Sequence, residues 1–418
     1  MVAARTQGPW GALGRTGDGR RGGGCRGCCG CRGRRSGEPR GERRGVTRPG
    51  AVIEVDLDAI RANLRRIRAE IGPGPELCPV LKADAYGHGL SLVLPVLMSE
   101  GVGSIGIASN REAAEARELG FAGRLLRVRA AAPQEAAEAL RFGVEEWVGG
   151  FAQARALAEL ALAHGASVPV HLATNGPGIS RECLDLGGEE GARELAAILA
   201  LRGLQLRGVC AHFPCEEVAD TEAGAAAFAA DAETVLRALG PERAAAVQRH
   251  CATSFAALSV PGSRFDLVRI GAALYGDSSA DAPWQRRAMR LLAPVTGVNR
   301  YPAGRSVSYD RTHVLERDTL IASVPIGYGD GVPRSLGGRG AVLVRGRRAP
   351  VVGAIAMNAL SVDVTAIPGV QPGDEAVLLG RQGALEITGA EFERAAGDIA
   401  AVAYSAWGRI VPRVAVGA

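Results

Sequence analysis

Of the 49 Lys and Arg residues in this 418-residue chain, 48 are Arg and one, Lys82, is Lys. Arginine is effectively always protonated and is no nucleophile, whereas a lysine that loses its proton can form a Schiff base with a carbonyl. A chain that uses guanidinium for every routine surface charge points to its one primary amine as the group for chemistry a guanidinium cannot do. The bland alternative is a lone surviving surface lysine. Against it stands the neighbourhood Val80-Leu81-Lys82-Ala83-Asp84-Ala85-Tyr86-Gly87-His88-Gly89, an apolar run that breaks into a glycine-bearing turn.

The elements that position this amine read as follows. From Ala51 short β-rich runs alternate with helical stretches, beginning with Ala51–Asp56 and then Leu57, Ile60, Leu64, Ile67 and Ile71 at helical spacing. Further apolar runs lie near Pro79–Leu81, Ser104–Ala108, Leu125–Val128, Glu146–Val148, Val168–Leu172, Gly208–Ala211, Ala246–His250 and Leu267–Ile270. This alternation predicts an α/β chain whose first large domain, residues 50–294, is a (β/α)8 TIM barrel, with a doubly wound open sheet as the alternative. In a barrel, Lys82 at a strand end stands at the C-terminal mouth, where active sites are built. After about Pro294 the pattern becomes β-rich, with runs at Thr319–Ile326, Ala341–Val344, Val351–Ala356 and Leu360–Val364. Residues 295–418 are expected to form a C-terminal β-rich domain without helical segments.

Residues 1–49 read differently. The first 50 positions carry 12 Arg against Asp18, Glu38 and Glu42, so the formal charge of +5 divides into about +9 there and −4 beyond. Gly and Arg dominate this head without hydrophobic periodicity, which predicts disorder. The body has no basic stripe and only 4% aromatic residues, so no nucleic-acid partner is expected. No run of about 18 uncharged apolar residues occurs, and no membrane partner is expected. Nine cysteines, four of them at Cys25, Cys28, Cys29 and Cys31, form neither a disulfide framework nor a matched pair of metal-binding half-sites, so no metal is expected. The head has no apolar core of a secretory signal; as written the chain reads as cytoplasmic, and a misassigned start codon would leave a periplasmic address open.

The run around Lys82 resembles the alanine racemase family of barrel-type pyridoxal-phosphate enzymes, whose cofactor lysine stands in a V-x-K-A-x-A-Y-G-H-G motif. The resemblance extends from Val52 to Val414 and recurs in order. It implies pyridoxal 5'-phosphate held by Lys82, with Tyr86, with His212 of Gly208-Val209-Cys210-Ala211-His212-Phe213 beside the ring, and with Ser254 at the phosphate. Val268-Arg269-Ile270-Gly271-Ala272 would supply Arg269 to the pyridine nitrogen and the Gly271 and Ala272 amides to the phosphate, which Tyr404 also reaches. A guanidinium will not readily protonate that nitrogen, because its own pKa lies above about 12, so the ring stays a moderate electron sink. Inversion at Cα needs two acid/base groups. The resemblance assigns Lys82 to one face and Tyr309 to the other, and it places Tyr309, Met357 and Asn358 in the partner subunit of a homodimer with shared sites. Tyr328 would line the approach of the small-molecule amino-acid substrate.

The stretch His171-Leu172-Ala173-Thr174-Asn175-Gly176-Pro177-Gly178-Ile179-Ser180-Arg181 departs from the K-x-D-T-G-M-x-R-x-G pattern of alanine-specific members and resembles the broad-spectrum racemase branch. That branch also shows V-R-x-A-A-P, H-F-P-x-E-E and S-M-N-x-L, matched at Val128–Pro133, His212–Glu217 and Ala356–Leu360. The resemblance implies that Ala173 removes a modified lysine that would position Arg181, and that Ala173 and Asn175 open the pocket to longer side chains, basic ones included. Pro177 and Glu182-Cys183 depart from the branch in the same loop. The alternatives are a barrel-type basic amino-acid decarboxylase, which generally pairs the pyridine nitrogen with a carboxylate, and a non-enzymatic pyridoxal-phosphate homeostasis protein, which would leave residues 295–418 unexplained.

Overall fold

The computed structural model describes residues 50–417; the Arg/Gly-rich head, with its four cysteines, lies outside them. The chain opens with strand β1 (Val52–Asp56), and Asp56 caps the next helix, Leu57–Ile71, by accepting from the Ala59 amide at 2.8 Å. That helix buries Ile60, Leu64, Ile67 and Ile71, the apolar stripe that its spacing predicts.

Eight parallel strands follow: β2 (Glu76–Pro79), β3 (Ser104–Ile107), β4 (Arg124–Ala130), β5 (Val144–Val148), β6 (Val168–Ala173), β7 (Leu204–Cys210), β8 (Gln248–His250) and β9 (Leu267–Ile270). Strands β3 to β8 pair in sequence order and β2 pairs with β9. A Val80–Gly106 bridge joins β2 to β3, and the Arg269 amide donates to Ala252 at 3.0 Å beside β8, so the ring closes as a barrel. Helices cover it between strands. Each of the eight apolar runs beyond Asp56 overlaps or directly adjoins one of these strands.

The second sheet runs Arg347–Pro350, Ala341–Val344, Glu375–Gln382, Met289–Pro294, β1, Arg413–Val416. Strand β1 therefore belongs here and not to the barrel alternation it appears to begin. Val52 faces Leu292 and Val55 faces Met289 in antiparallel register, so the chain enters and leaves the barrel through neighbouring strands. Two expectations for this region need correction. Val351–Ala356 is no strand: Gly353 takes φ 71° and only a single Val351–Val362 bridge forms. Helices do recur, at Gly389–Ala396 and Ala400–Ile410, where Ala, Glu and Arg favour them and where Ala403, Tyr404 and Trp407 give one buried face.

The most unusual backbone lies immediately after Lys82. Ala83, Asp84, Ala85 and Tyr86 all take φ between 54° and 57°, followed by Gly87 at 78°, a left-handed helical turn built mostly from L-residues with Cβ atoms. Each such residue costs about 1–2 kcal/mol. Asp84 offsets the cost by accepting from the Leu90 amide at 2.7 Å and by pairing with Arg413. Gly87 lies so close to the Ala400–Ile410 helix that a Cβ there would sit 1.9 Å from the Tyr404 carbonyl oxygen. His88 locks the exit: its Nδ1–H donates to the carbonyls of Ala85 and Tyr86 at 3.0 and 3.1 Å, and its ring stacks on Tyr275 at 4.4 Å.

Two outcomes follow from this turn. Gly87→Ala should destabilise the fold by about 3 kcal/mol or more, or prevent folding, whereas Gly397→Ala, in the same left-handed region (φ 76°, ψ 22°) but with open space around it, should cost only about 1–2 kcal/mol in chemical denaturation. Burial pushes the His88 imidazole from 6.5 down to about 4, so the unfolded chain binds the extra proton between those values. The melting temperature should therefore fall as the pH drops through that window, with a shallower acid limb in His88→Phe.

Candidate active site

An open cavity of about 640 Å³ lies at the C-terminal mouth of the barrel, lined by Lys82, Tyr86, Arg181, His212, Ser254 and Arg269 together with Gly271 and Ala272. The Lys82 amine loses its proton more easily than a free lysine because burial penalises the ammonium, and because Arg181 and Arg269 stand nearby. Its Nζ lies 5.5 Å from the centre of the Tyr86 ring.

Arg269 is buried at the end of β9 and its direction is fully specified. Nη1 donates to Nδ1 and, at 2.9 Å, to the carbonyl of His250; Nη2 donates to the carbonyls of Ala211 at 2.6 Å and Cys251 at 3.2 Å. Four of the five guanidinium N–H bonds are thus used. The Nε–H has no acceptor among the described residues, and Arg269 lines the cavity.

His212, just past β7, accepts at Nε2 from Arg181 at 3.0 Å, which places its own proton on Nδ1. Burial first, then Arg269, Arg181 and Lys82, push this imidazole down to about 2. It is a neutral ring at every working pH.

The opposite wall suits an anion. Ser254 Oγ accepts from the Gly271 and Ala273 amides, both at 3.1 Å, at the start of the Ser254–Ser259 helix. A Cβ on Gly271 would come within 2.4 Å of Tyr86 Oη, so only glycine allows that phenol to approach the loop. With the Gly271 and Ala273 amides engaged by Ser254, the Ser254 hydroxyl proton, the Ala272 amide, the Lys82 amine and an acceptor-seeking Nε–H form a donor set that matches a phosphorylated pyridine aldehyde. Tyr404 is buried with its hydroxyl against Arg287 and lines the adjoining outer groove, not the inner cavity.

The structure does not bring every expected residue to this cavity. Ala173 is buried beneath it, packed against Trp147 and Cys210, so it shapes the pocket from below and does not face substrate. The Trp147 indole lines the cavity beside Ala173, and its Nε1–H donates to the Glu182 carbonyl at 2.7 Å, tethering the loop that carries Arg181. Asn175 sits in that loop without lining the cavity. Tyr309, Tyr328, Met357 and Asn358 are all exposed on the second domain, Tyr309 by 62%. Their three loops are joined, with the Ser308 hydroxyl bonded to Ala354, the Tyr328 amide to Ala356 and the Gly329 amide to Met357. Ser308, Asp310 and Arg311 take φ of 64°, 57° and 51° around Tyr309, left-handed backbone at three non-glycine positions. Trp147 and Glu216, which also line the cavity, escaped the sequence reading; Trp147 stood in the Glu146–Val148 run, but only its inward parity marks it.

Comparison with known proteins agrees with this geometry. Residues 55–279 match the alanine racemase N-terminal domain and residues 288–415 the alanine racemase C-terminal domain. A broad specificity amino-acid racemase of Aeromonas hydrophila is 44% identical over 368 residues, 88% of this chain and 90% of that protein. A lysine racemase of Proteus mirabilis is 38% identical, covering 87% and 89%. Among solved structures, alanine racemase from Streptomyces lavendulae superposes with a TM-score of 0.81 at 33% identity, covering 89% of this chain and 98% of the other. Alanine racemase from Bartonella henselae, described with covalently bound pyridoxal phosphate, shares the fold at a TM-score of 0.78 and 23% identity, covering 88% and 100%. Fold, cavity and relatives converge: the chain belongs to the alanine racemase family.

Proposed function

We propose that this protein is a pyridoxal-phosphate-dependent racemase that interconverts L- and D-amino acids over a broad range, basic side chains included. The observation that carries the reading is the pairing, in one cavity, of a lysine amine with lowered proton affinity and a buried arginine whose single uncommitted N–H is left for that cavity. Lys82 would hold the cofactor covalently, Arg269 its pyridine nitrogen, His212 and Tyr86 its ring, and Ser254 with the Gly271 and Ala272 segment its phosphate. Tyr404, through Arg287, supports the same end from outside. Bound pyridoxal phosphate supplies the electron sink that acidifies the Cα–H of an amino acid.

Lys82 removes or returns the proton on one face. Tyr309 serves the other face from the partner subunit: it is too exposed to act within its own chain's cavity, and it stands on a strained loop beside exposed Met357 and Tyr328. Exposed Ile179, Val218, Ile399 and Val402 lie around the barrel mouth and outer groove and offer that second copy an apolar seat. Arg181, tethered by Trp147 through Glu182, presents a cation to the substrate carboxylate. Glu216 is, among the described residues, the one carboxylate lining the inner cavity, and it faces the end of a longer basic substrate. Arg269 speaks against a decarboxylase, because a guanidinium keeps the pyridine nitrogen unprotonated and the sink moderate.

Borohydride reduction of the holoenzyme should fix the cofactor on Lys82, the sole ε-amino group, and peptide mapping that found none there would overturn the reading. Chirality assays on Ala, Ser, Met, Lys and Arg should show racemisation without CO2 release. Lys82→Ala and Tyr309→Phe should each lower kcat by about 10²–10⁴-fold. Mixed in equal amounts with proven subunit exchange, the two variants should recover about a quarter of wild-type activity, since half the dimers would hold one intact site. Glu216→Gln should lower kcat/KM for Lys and Arg about tenfold while Ala changes by less than about twofold.

A further inference from the structure

Barrel interiors are ordinarily filled by layers of branched apolar side chains. Below this cavity the interior is instead an unbroken polar chain. Arg269 donates to His250 Nδ1; His250 Nε2 lies 2.8 Å from His171 Nδ1; His171 Nε2 lies 2.7 Å from Glu145 Oε2; and Glu145 is held by Arg124 through two contacts of 2.8 Å. Arg124 continues to Glu76 and Gln248 on the barrel floor. Burying such groups is costly, and the cost is tolerated only when every member is paired.

Polarity runs one way along the chain. Glu145 is anionic, because although burial pushes its carboxyl up, Arg124 and His171 hold it down at about 2. It accepts, so His171 must donate from Nε2 and keep Nδ1 bare. His250 must then donate from Nε2 and also keep Nδ1 bare. Both imidazoles are kept neutral by burial above all. A bare Nδ1 on His250 is the only state that can accept from the Arg269 guanidinium, which has donors alone. The sequence makes room for this: a Cβ on Gly208 of β7 would lie 2.2 Å from His171 Nδ1 and 3.0 Å from His250 Nε2, in the middle of the histidine pair.

We infer that Glu145 and His171, out of contact with substrate, are positioning residues that act through His250: they set its tautomer and thereby aim the free Nε–H of Arg269 into the cavity. The inference rests on reading Arg269 as the partner of the pyridine nitrogen.

Selective ¹⁵N labelling of histidine in the holoenzyme tests it, with His171→Gln identifying the His171 resonances. Both rings should show a protonated Nε2 and a bare Nδ1. His171→Gln keeps a donor toward Glu145 and an acceptor toward His250, and should retain kcat within about threefold; His171→Phe keeps only bulk and should lose about tenfold or more in kcat with KM within about twofold. A proton on Nδ1 of either ring, or equal kcat in the two variants, overturns the inference. If His171→Phe does not fold, the wild-type tautomers alone decide it. The spectra report the relay whether or not the reaction is racemisation, so failure here and failure of the racemase reading are told apart.

Discussion

Three cationic side chains, Lys82, Arg181 and Arg269, face one cavity, and their mutual repulsion is the constraint around which the site is organised. Two of them cannot relieve it by losing a proton, because they are guanidiniums. The third can, and burial together with the two guanidiniums lowers the proton affinity of the one nitrogen able to become a nucleophile. Arg269 is stabilised by carbonyls and a neutral imidazole, none of which neutralises its field. Such a cavity is electrostatically complementary to anions. Recognition and activation of the amine thus come from the same electrostatic imbalance.

That arrangement would be useless with the amine pointed elsewhere, and its aim is set by local backbone strain. The left-handed turn after Lys82 places Tyr86 against Gly271 and Asp84 against Arg413, so one segment ties Lys82 to the wall formed by Ser254 and Gly271 and to the second sheet. Neither contact is local in sequence. The barrel supplies the pocket, and the second domain supplies the brace.

Much of this was legible beforehand, for identifiable reasons. Each of the eight barrel strands overlaps or directly adjoins an apolar run, although β7 is buried only over its last three residues and β8 is Gln-Arg-His, so there the run marks an end or flank of the strand. Lys82 stood out by composition alone. What stayed hidden is what depends on non-local partners. The turn after Lys82 was legible from Gly87 and Gly89, but not its reversed hand, which Arg413, Tyr404 and the close approach at Gly87 reveal. Strand β1 looked like the start of the barrel because pairing with Met289–Pro294 carries no local mark. Helix Ala400–Ile410 was masked by the β-rich stretches before it. Glu145, His171 and His250 resembled routine strand polars until the inward parity of their strands was known, and Ala173 looked like a pocket-facing residue until Trp147 was seen to occupy the space.

The ion pair between Asp84 and Arg413 joins positions 329 residues apart. During synthesis on the ribosome the barrel segment emerges long before Arg413 does, so until then the reversed turn is held only by its local bonds, Asp84 to the Leu90 amide and His88 to the Ala85 and Tyr86 carbonyls. A product truncated before Arg413 therefore carries the whole barrel sequence but lacks the charge that pairs with Asp84, so the turn beside Lys82 is the part of the barrel completed last.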